Sequence, residues 1–283
     1  MGSMDSTDRY CVMGQPVEHS KSPWIHARFA ELTGQRLRYE KRPVPQDGFA
    51  AAVREFQGVG GRGCNVTVPF KFEAAALATE ASERALLAQA GNTLSFGAGG
   101  AIRIDNTDGI GLVRDIEHNA GIALAGRDLL LLGAGGAAAG VLGPLLEARP
   151  RGITLVNRTR SRADALAKRH QALAADCGVE LRVSDALAPQ PAYDVVINAT
   201  ASSLAGAAVP VAADALKAGA LACDLMYGPA AQGFLDWARE HGAVPRDGLG
   251  MLVEQAAESF AIWRGVRPPS AQVLAELCAL VGG

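Results

Sequence analysis

In the first half of this 283-residue chain, Lys71 and Asp108 form a pair able to do acid–base chemistry. A lysine ammonium can hand over a proton and stabilise negative charge developing on an oxygen, and a nearby carboxylate can orient it. Uncharged polar residues surround them in the sequence. Ser20 and Ser22 flank Lys21, Asn65 and Thr67 precede Lys71, and Asn92 lies between the pair. Such side chains suit a small hydroxylated ligand, because each can donate or accept hydrogen bonds. Singly, each has a plainer use. Ser22 before Pro23 suits a helix N-cap, Asn65 a turn, Asp108 a helix cap and Lys71 a solvated surface. Together, at the ends of predicted strands, they point to a site.

A second chemistry is carried by Gly133-Ala134-Gly135-Gly136-Ala137. The apolar run Leu129–Leu132 precedes it and a helix-forming run, Ala137 to Leu146, follows. Gly133 can adopt a backbone conformation closed to other residues. Gly135 lets the main chain approach a pyrophosphate, and Ala138 is small enough for helix–strand packing. The helix N-terminus then offers free N–H groups and its positive dipole end to the phosphates. The next strand ends in Val156-Asn157-Arg158-Thr159-Arg160-Ser161-Arg162, with three arginines and no acidic residue. An NAD site usually places a carboxylate there, on the ribose 2′-hydroxyl. Arginine instead offers a planar fork to a 2′-phosphate, so the expected cofactor is NADP. Arg158 and Arg162 are the better phosphate candidates, and Arg160 suits a solvated helix start.

These groups need elements to hold them. Tyr10–Met13, Leu37–Lys41, Asn65–Val68, Asn92–Phe96 and Ala101–Ile104 read as strands. Ser22-Pro23 opens a helix, Ala74–Ala90 is helical by composition, and a helix starting at Thr107 or Asp108 runs to about Asn119. Asp128–Leu132, Ile153–Val156, Leu181–Val183, Asp194–Ile197 and Leu221–Leu225 then read as strands of a parallel sheet buried on both faces. Gly250–Arg264 and Ser270–Leu280 read as helices. The expected fold is α/β with two domains. An α/β substrate domain covers 1–107 and is completed by helices in 248–283. A Rossmann-type, doubly wound NADP domain covers 108–247.

The composition narrows the function. A net charge of -2 gives no electrostatic case for nucleic acid, and no apolar run reaches membrane-spanning length. Five cysteines without metal-ligand spacing argue against a disulfide framework and against a metal site. With no signal-like start, the expected setting is the cytoplasm. Met1-Gly2-Ser3 reads as an added segment. The sequons at Asn65, Asn157 and Asn198 read as chance matches. Alanine-rich helices look alike facing a core or a partner, so the expectation is a monomer or homodimer.

The combination resembles the shikimate dehydrogenase family along nearly the whole chain. The motifs, in order, are His19-Ser20-Lys21-Ser22-Pro23, Asn65-Val66-Thr67-Val68-Pro69-Phe70-Lys71, Asn92-Thr93-Leu94 and Asp105-Asn106-Thr107-Asp108-Gly109. The glycine turn, Asn157-Arg158-Thr159, Asn198-Ala199-Thr200 and Asp247-Gly248-Leu249-Gly250-Met251-Leu252-Val253-Glu254-Gln255-Ala256 continue them. The resemblance implies reduction of 3-dehydroshikimate to shikimate with NADPH, on the way to aromatic amino acids. It implies Lys71 and Asp108 as the catalytic pair, and Ser20, Ser22, Thr67, Asn92 and Gln255 on substrate hydroxyls and carboxylate. Asn65 would help hold the substrate and Lys71, and Tyr227 would reach the substrate. Thr200, Met226 and Gly248 would join the glycine turn, Asn157, Arg158, Thr159 and Arg162 on the cofactor.

Four positions depart from the family pattern. Cys64 stands where alanine is common, and Gly91 where valine is usual. Ala201-Ser202-Ser203-Leu204 and Gln232-Gly233-Phe234 also differ. Three other functions fit parts of the sequence. A quinate/shikimate dehydrogenase with dual cofactor use would be expected to carry an acidic residue near Asn157–Thr159. A methylenetetrahydrofolate dehydrogenase would take a large pterin, which the serine pair suits poorly. A non-catalytic NADP-binding regulator has no need of both Lys71 and Asp108.

Overall fold

The structure, a computed structural model, describes residues 7–185, 192–200 and 212–281, so Met1-Gly2-Ser3 lie outside it. Among the described residues, one unit runs to Gly111 and resumes at Leu252, and the other spans Leu112–Met251.

The first unit opens with β1 (Asp8–Gly14), α1 (Ser22–Thr33), β2 (Leu37–Pro43), α2 (Phe49–Gly58) and β3 (Gly61–Val66). It continues with α3 (Lys71–Leu77), β4 (Glu80–Ala81), α4 (Glu83–Ala88), β5 (Thr93–Phe96) and β6 (Ile102–Asp105). The chain leaves it within α5 (Asp108–Arg114), which ends in a π-helical turn at Asp115–Asn119. The sheet order is β2-β1-β3-β5-β6-β4. β3 is parallel to β1, whereas β5 is antiparallel to both β3 and β6. This mixture brings the end of β3, the start of β5 and the end of β6 together: Asn65 opposes Thr93, and Thr93 opposes Asp105.

Three local expectations change. Ala74–Ala90 is not one helix. Thr79 N–H donates to Ile102 O (2.8 Å) and Ser82 N–H to Ile104 O (3.0 Å), so the sheet edge draws the middle of the run into β4. Ser82 then caps α4 by accepting from Ala85 N–H at 3.3 Å. Second, Ser22 is not the cap of α1, because Lys21 holds that position and Ser22 lies inside the helix. Third, β3 stops at Val66, and Thr67 starts a turn in which Phe70 N–H donates to Thr67 O at 3.0 Å.

The second unit contains β7 (Asp128–Leu132), α6 (Gly136–Glu147), β8 (Gly152–Val156), α7 (Arg160–Cys177) and β9 (Glu180–Ser184). β10 (Tyr193–Asn198), β11 (Leu216–Asp224), α8 (Gln232–Glu240) and β12 (Val244–Arg246) follow. The order is β12-β11-β10-β7-β8-β9, with every pair parallel. This is a doubly wound sheet whose order reverses between β7 and β10. Leu129 to Leu132 are fully buried, which explains the unbroken apolar run.

α9 (Leu249–Arg264) carries the chain back to the first unit, and α10 (Ser270–Val281) ends the described chain. Trp263 on α9 donates its indole N–H to Leu94 O at 3.1 Å. Gly63 makes room for this contact, since a Cβ there would lie 2.4 Å from Leu94 O and 2.8 Å from the indole nitrogen. No helix among the described residues is long and apolar enough to cross a membrane.

His26 of α1 is fully buried in the first unit. Its ring stacks on Tyr39 at 4.2 Å and meets Phe29 edge-on at 6.0 Å. Neither ring nitrogen has a hydrogen-bond partner among the described residues. Burial pushes its pKa down to about 3, while nearby Asn65 pulls weakly the other way. The folded protein therefore holds His26 neutral, and the unfolded chain takes up a proton below the ordinary value of 6.5. Stability from this group is complete above that pH and is lost as the pH falls towards 3. His170, also shifted down by burial, acts in the same direction. Between about pH 7.5 and 4.5 the wild type should lose about 2–3 kcal/mol more than His26→Phe. Denaturant unfolding across that range checks this, and parallel curves for the two proteins would refute it.

Candidate active site

Lys71 opens α3 and Asp108 opens α5. Lys71 Nζ lies 2.6 Å from Asp108 Oδ2, with the two side chains 15% and 6% exposed. In so dry a place the attraction is stronger than at a surface. The other carboxylate oxygen, Asp108 Oδ1, accepts from Asn92 Nδ2 at 2.9 Å. Each oxygen thus has its own donor. The Asn92 amide cannot be reversed, because Thr107 N–H, which only donates, meets Asn92 Oδ1 at 2.8 Å. Asn106 shapes the turn before α5: its Oδ1 accepts from Asp108 N–H (3.1 Å), and its Nδ2 donates to Ala90 O (2.9 Å).

Behind Asn92 lies a buried polar layer. Asn65 Nδ2 is within hydrogen-bond distance of Asn92 O (3.0 Å), Thr93 Oγ1 (3.2 Å) and Ser259 Oγ (3.0 Å). Asn65 Oδ1 accepts from the Tyr39 hydroxyl at 2.8 Å. Burial raises the Tyr39 phenol well above its ordinary pKa, and contact with Ser22 eases the shift. Ser259 lies one turn after Gln255 on α9. Gln255 Oε1 accepts from Asn92 Nδ2 at 3.1 Å, and Gln255 Nε2 donates to Leu252 O at 2.9 Å. Ser20 donates to Ser22 Oγ at 3.1 Å.

The structure therefore joins Lys71, Asp108, Asn92, Gln255 and Asn65 through hydrogen bonds. It joins Ser20 to Ser22, and Tyr39 to Asn65. Asn65 has no hydrogen bond to Lys71. Thr67 is half-buried on the turn after β3, and its N–H donates to Met13 O at 2.9 Å.

The cofactor candidates sit in the second unit, at the carboxyl ends of the parallel strands. Gly133 has φ +113° and donates its N–H to Val156 O at 2.8 Å. A Cβ there would lie 3.0 Å from Ala199 O and 3.3 Å from Thr200 Cγ2, so only glycine fits. Gly135 caps the twelve-residue α6 without a side-chain hydrogen bond, and a Cβ on it would meet nothing within 4 Å. Bare N–H groups facing open space fit a pyrophosphate. Ala134, Gly136 and Ala137 complete the turn, none of them fully buried.

After β8, Asn157 Nδ2 donates to Thr159 O at 2.8 Å, which tightens the turn into α7. Arg160 is taken by Asp185 at 2.9 Å and approaches Asp164 at 3.7 Å. Arg158 and Arg162 are exposed and carry no ion pair among the described residues. Those two guanidiniums therefore remain for a 2′-phosphate. Thr200 follows β10, and Met226 and Tyr227 follow β11. Gly248 N–H donates to Met226 O at 2.8 Å. Ala201-Ser202-Ser203-Leu204 lie outside the described residues.

Several residues in these networks were not singled out from the sequence. Tyr39 and Ser259 gave no signal except, for Ser259, its spacing of four from Gln255 on one helix face. Thr93 stands inside a motif without a role, and Thr107 reads from the sequence only as one of two possible starts of a helix.

Comparisons with known proteins identify the family. Family models match for the shikimate dehydrogenase substrate binding domain (residues 12–94), shikimate / quinate 5-dehydrogenase (115–218) and the shikimate 5′-dehydrogenase C-terminal domain (248–278). A shikimate dehydrogenase (NADP(+)) of Paracidovorax citrulli (strain AAC00-1) is 66% identical over 279 residues, covering 99% of each chain. Another, of Verminephrobacter eiseniae (strain EF01-2), is 66% identical over 272 residues, covering 96% of this chain and 94% of that one. Among solved structures, shikimate 5-dehydrogenase from Thermus thermophilus in complex with NADP(H) and shikimate is 31% identical. Its TM-score is 0.80, covering 95% of this chain and 97% of that one.

The layer around Asn65 is part of the fold as well as of the site. Asn65→Leu keeps the approximate shape but strands the Tyr39 hydroxyl inside the protein. We expect it to lower the unfolding free energy by about 1–3 kcal/mol. Urea unfolding measures the loss, and wild-type stability in the variant would show that the layer does not hold the fold.

Proposed function

The chain belongs to the shikimate dehydrogenase family, and from that premise we infer that it reduces 3-dehydroshikimate to shikimate with NADPH, reversibly. The observation that carries the reading is the buried Lys71–Asp108 pair, 2.6 Å apart, with Asn92 on the second carboxylate oxygen. NADP rather than NAD is supported by Arg158 and Arg162, both without an acidic partner among the described residues, and by the lack of any carboxylate from Asn157 to Arg162.

The bound cofactor supplies the hydride that reaches the substrate's carbonyl carbon. The protein's part is to manage the oxygen. The Lys71 ammonium stabilises charge developing there and donates the proton that makes the hydroxyl. Asp108 keeps the ammonium aimed, and Asn92 keeps Asp108 from turning away. Lys71 is 15% exposed, so water can return the proton between turnovers. In the reverse direction the same amine takes the proton from the hydroxyl. Ser20, Ser22, Thr67, Asn92 and Gln255 hold the remaining hydroxyls and the carboxylate, and Asn65 supports them from behind. Tyr227 adds a further contact to the substrate.

Five cysteines spread along the sequence without paired or ligand-like spacing support a reducing cytoplasm as its setting. We assign the protein there as a monomer or homodimer.

A steady-state assay tests the function: shikimate and quinate, each with NADP and with NAD, following the absorbance of the reduced cofactor. Shikimate with NADP should be the preferred pair, and no rate with that pair would overturn the reading. Lys71→Ala should lower kcat by at least ~10²-fold, the low end for loss of a positioned proton-transfer group. Its NADPH dissociation constant should match the wild type. Equal turnover in variant and wild type would remove Lys71 from the chemistry.

A further inference from the structure

The parallel sheet of the second unit ends in a buried carboxamide and a buried carboxylate that the mechanism above leaves unused. Asn198 is the last residue of β10 and Asp224 the last of β11, and they are register partners on adjacent strands. They are 2% and 1% exposed. Asn198 Nδ2 donates to Asp224 Oδ2 at 2.9 Å. Asp224 Oδ1 accepts from Met226 N–H at 2.8 Å. Asn198 Oδ1 accepts from Thr200 N–H at 3.2 Å and from the Thr200 hydroxyl at 2.7 Å. Both outer partners are backbone N–H groups, which can only donate. The polarity of the whole chain of bonds is therefore fixed.

The pair is bonded to the backbone where two turns leave the sheet, at Thr200 and at Met226. The turn after β10 carries Ala199, whose carbonyl oxygen lies 3.0 Å from where a Gly133 Cβ would stand, so it packs on the glycine turn. The turn after β11 carries Met226, whose carbonyl accepts from Gly248 N–H at 2.8 Å. Both turns lie at the carboxyl ends of strands on one side of the point where strand order reverses. That is where sheets of this kind bind dinucleotides. An apolar pair would fill the same sheet edge without the desolvation penalty of a buried carboxylate. What the carboxylate adds is direction: one oxygen faces the Asn198 NH₂ and the other the Met226 N–H.

We propose that Asn198 and Asp224 are a positioning pair that presets these two turns for NADP, without touching it. The proposal rests on the NADP assignment above. Without the pair the turns must be ordered when the cofactor binds, and the cost appears in cofactor affinity.

Exchanging the two residues provides the test. In Asp224→Asn, position 224 has one oxygen for two donors, so an NH₂ group faces an N–H. In Asn198→Asp, two carboxylates face each other. The double variant N198D/D224N rebuilds the four bonds named above with the central donor and acceptor exchanged. The amide now at 224 donates to the carboxylate at 198, its oxygen takes the Met226 N–H, and the second carboxylate oxygen takes the Thr200 groups.

NADPH dissociation constants are measured by nucleotide fluorescence, and shikimate dissociation constants by calorimetry. We expect each single variant to weaken NADPH binding by about tenfold or more. Shikimate binding should fall much less than NADPH binding, because, of the substrate residues named above, only Tyr227 lies on a turn that the pair holds. The double variant should return NADPH binding to within about threefold of the wild type, the precision expected of such a cycle. Single variants that bind NADPH like the wild type would overturn the proposal. So would equal losses for both ligands, which would mark general damage. A double variant no tighter than the weaker single one, or one that does not fold, would also overturn it. Wild-type protein that fails to bind NADPH would overturn the cofactor assignment instead.

Discussion

The Thr107 amide N–H meets the Asn92 side-chain oxygen at 2.8 Å, and much of the candidate active site follows from that contact. With its oxygen committed, the carboxamide must point its NH₂ at Asp108 Oδ1 and Gln255 Oε1. Asp108 then offers its remaining oxygen to Lys71. A carboxylate free to spin could swing either oxygen, and the ammonium with it, away from the substrate. Here the direction is set by a main-chain group on the turn into α5. Holding a reacting group in one orientation removes a search that would otherwise slow each turnover.

The second unit repeats the device with other residues. Asn198 stands between an N–H donor, at Thr200, and a carboxylate, at Asp224, as Asn92 stands between Thr107 and Asp108. In each case a threonine N–H fixes the amide oxygen, and an aspartate takes the NH₂. The two differ in what the carboxylate does next. Asp108 holds Lys71, the proton donor proposed above. Asp224 holds the Met226 N–H and so shapes the backbone. An asparagine is suited to both because it is the shortest side chain carrying a donor and an acceptor in one plane. Buried amides of this kind add direction to a fold whose hydrophobic contacts have none.

Much of this was legible in the sequence, for identifiable reasons. The strand β7 matched its apolar run because burial on both faces removes any need for polar alternation. Gly133 was legible because a strand, a left-handed turn and a helix leave a joint signature. Ala74–Ala90 was misleading because alanine composition reports helix propensity, while the hydrogen bonds from Thr79 and Ser82 to β6 depend on a sheet edge not visible locally. Ser22 looked like a cap because serine before proline usually is one, yet the helix begins at Ser22 itself and its hydroxyl faces Ser20. Tyr39 and Ser259 were hidden for a deeper reason. Their partner, Asn65, is 26 residues from one and 194 from the other. No local pattern encodes such a meeting.

Gly91, which departs from the family pattern, shows how packing sets the chemistry. A Cβ at this position would lie 2.4 Å from Ile104 Cδ1 and 2.8 Å from Asp105 O. Its N–H donates to Lys71 O at 3.0 Å, and Asn92 N–H, the next along, donates to Asp105 O at 3.1 Å. Gly91 is thus the point at which the start of α3 is tied to the end of β6. A larger residue would push β6 away from that tie, carrying the turn that leads to Asp108 with it. The bulk of Ile104 fills the space a side chain at 91 would need, so volume moves across the layer rather than being lost. Cys64 belongs to the same economy of space, since it is fully buried and registers with Cys11 on β1. The spacing of Lys71 and Asp108 is therefore set by the packing around a glycine. Their ion pair is a consequence of that spacing, because a pair this well buried could not by itself repay the cost of drying its charges.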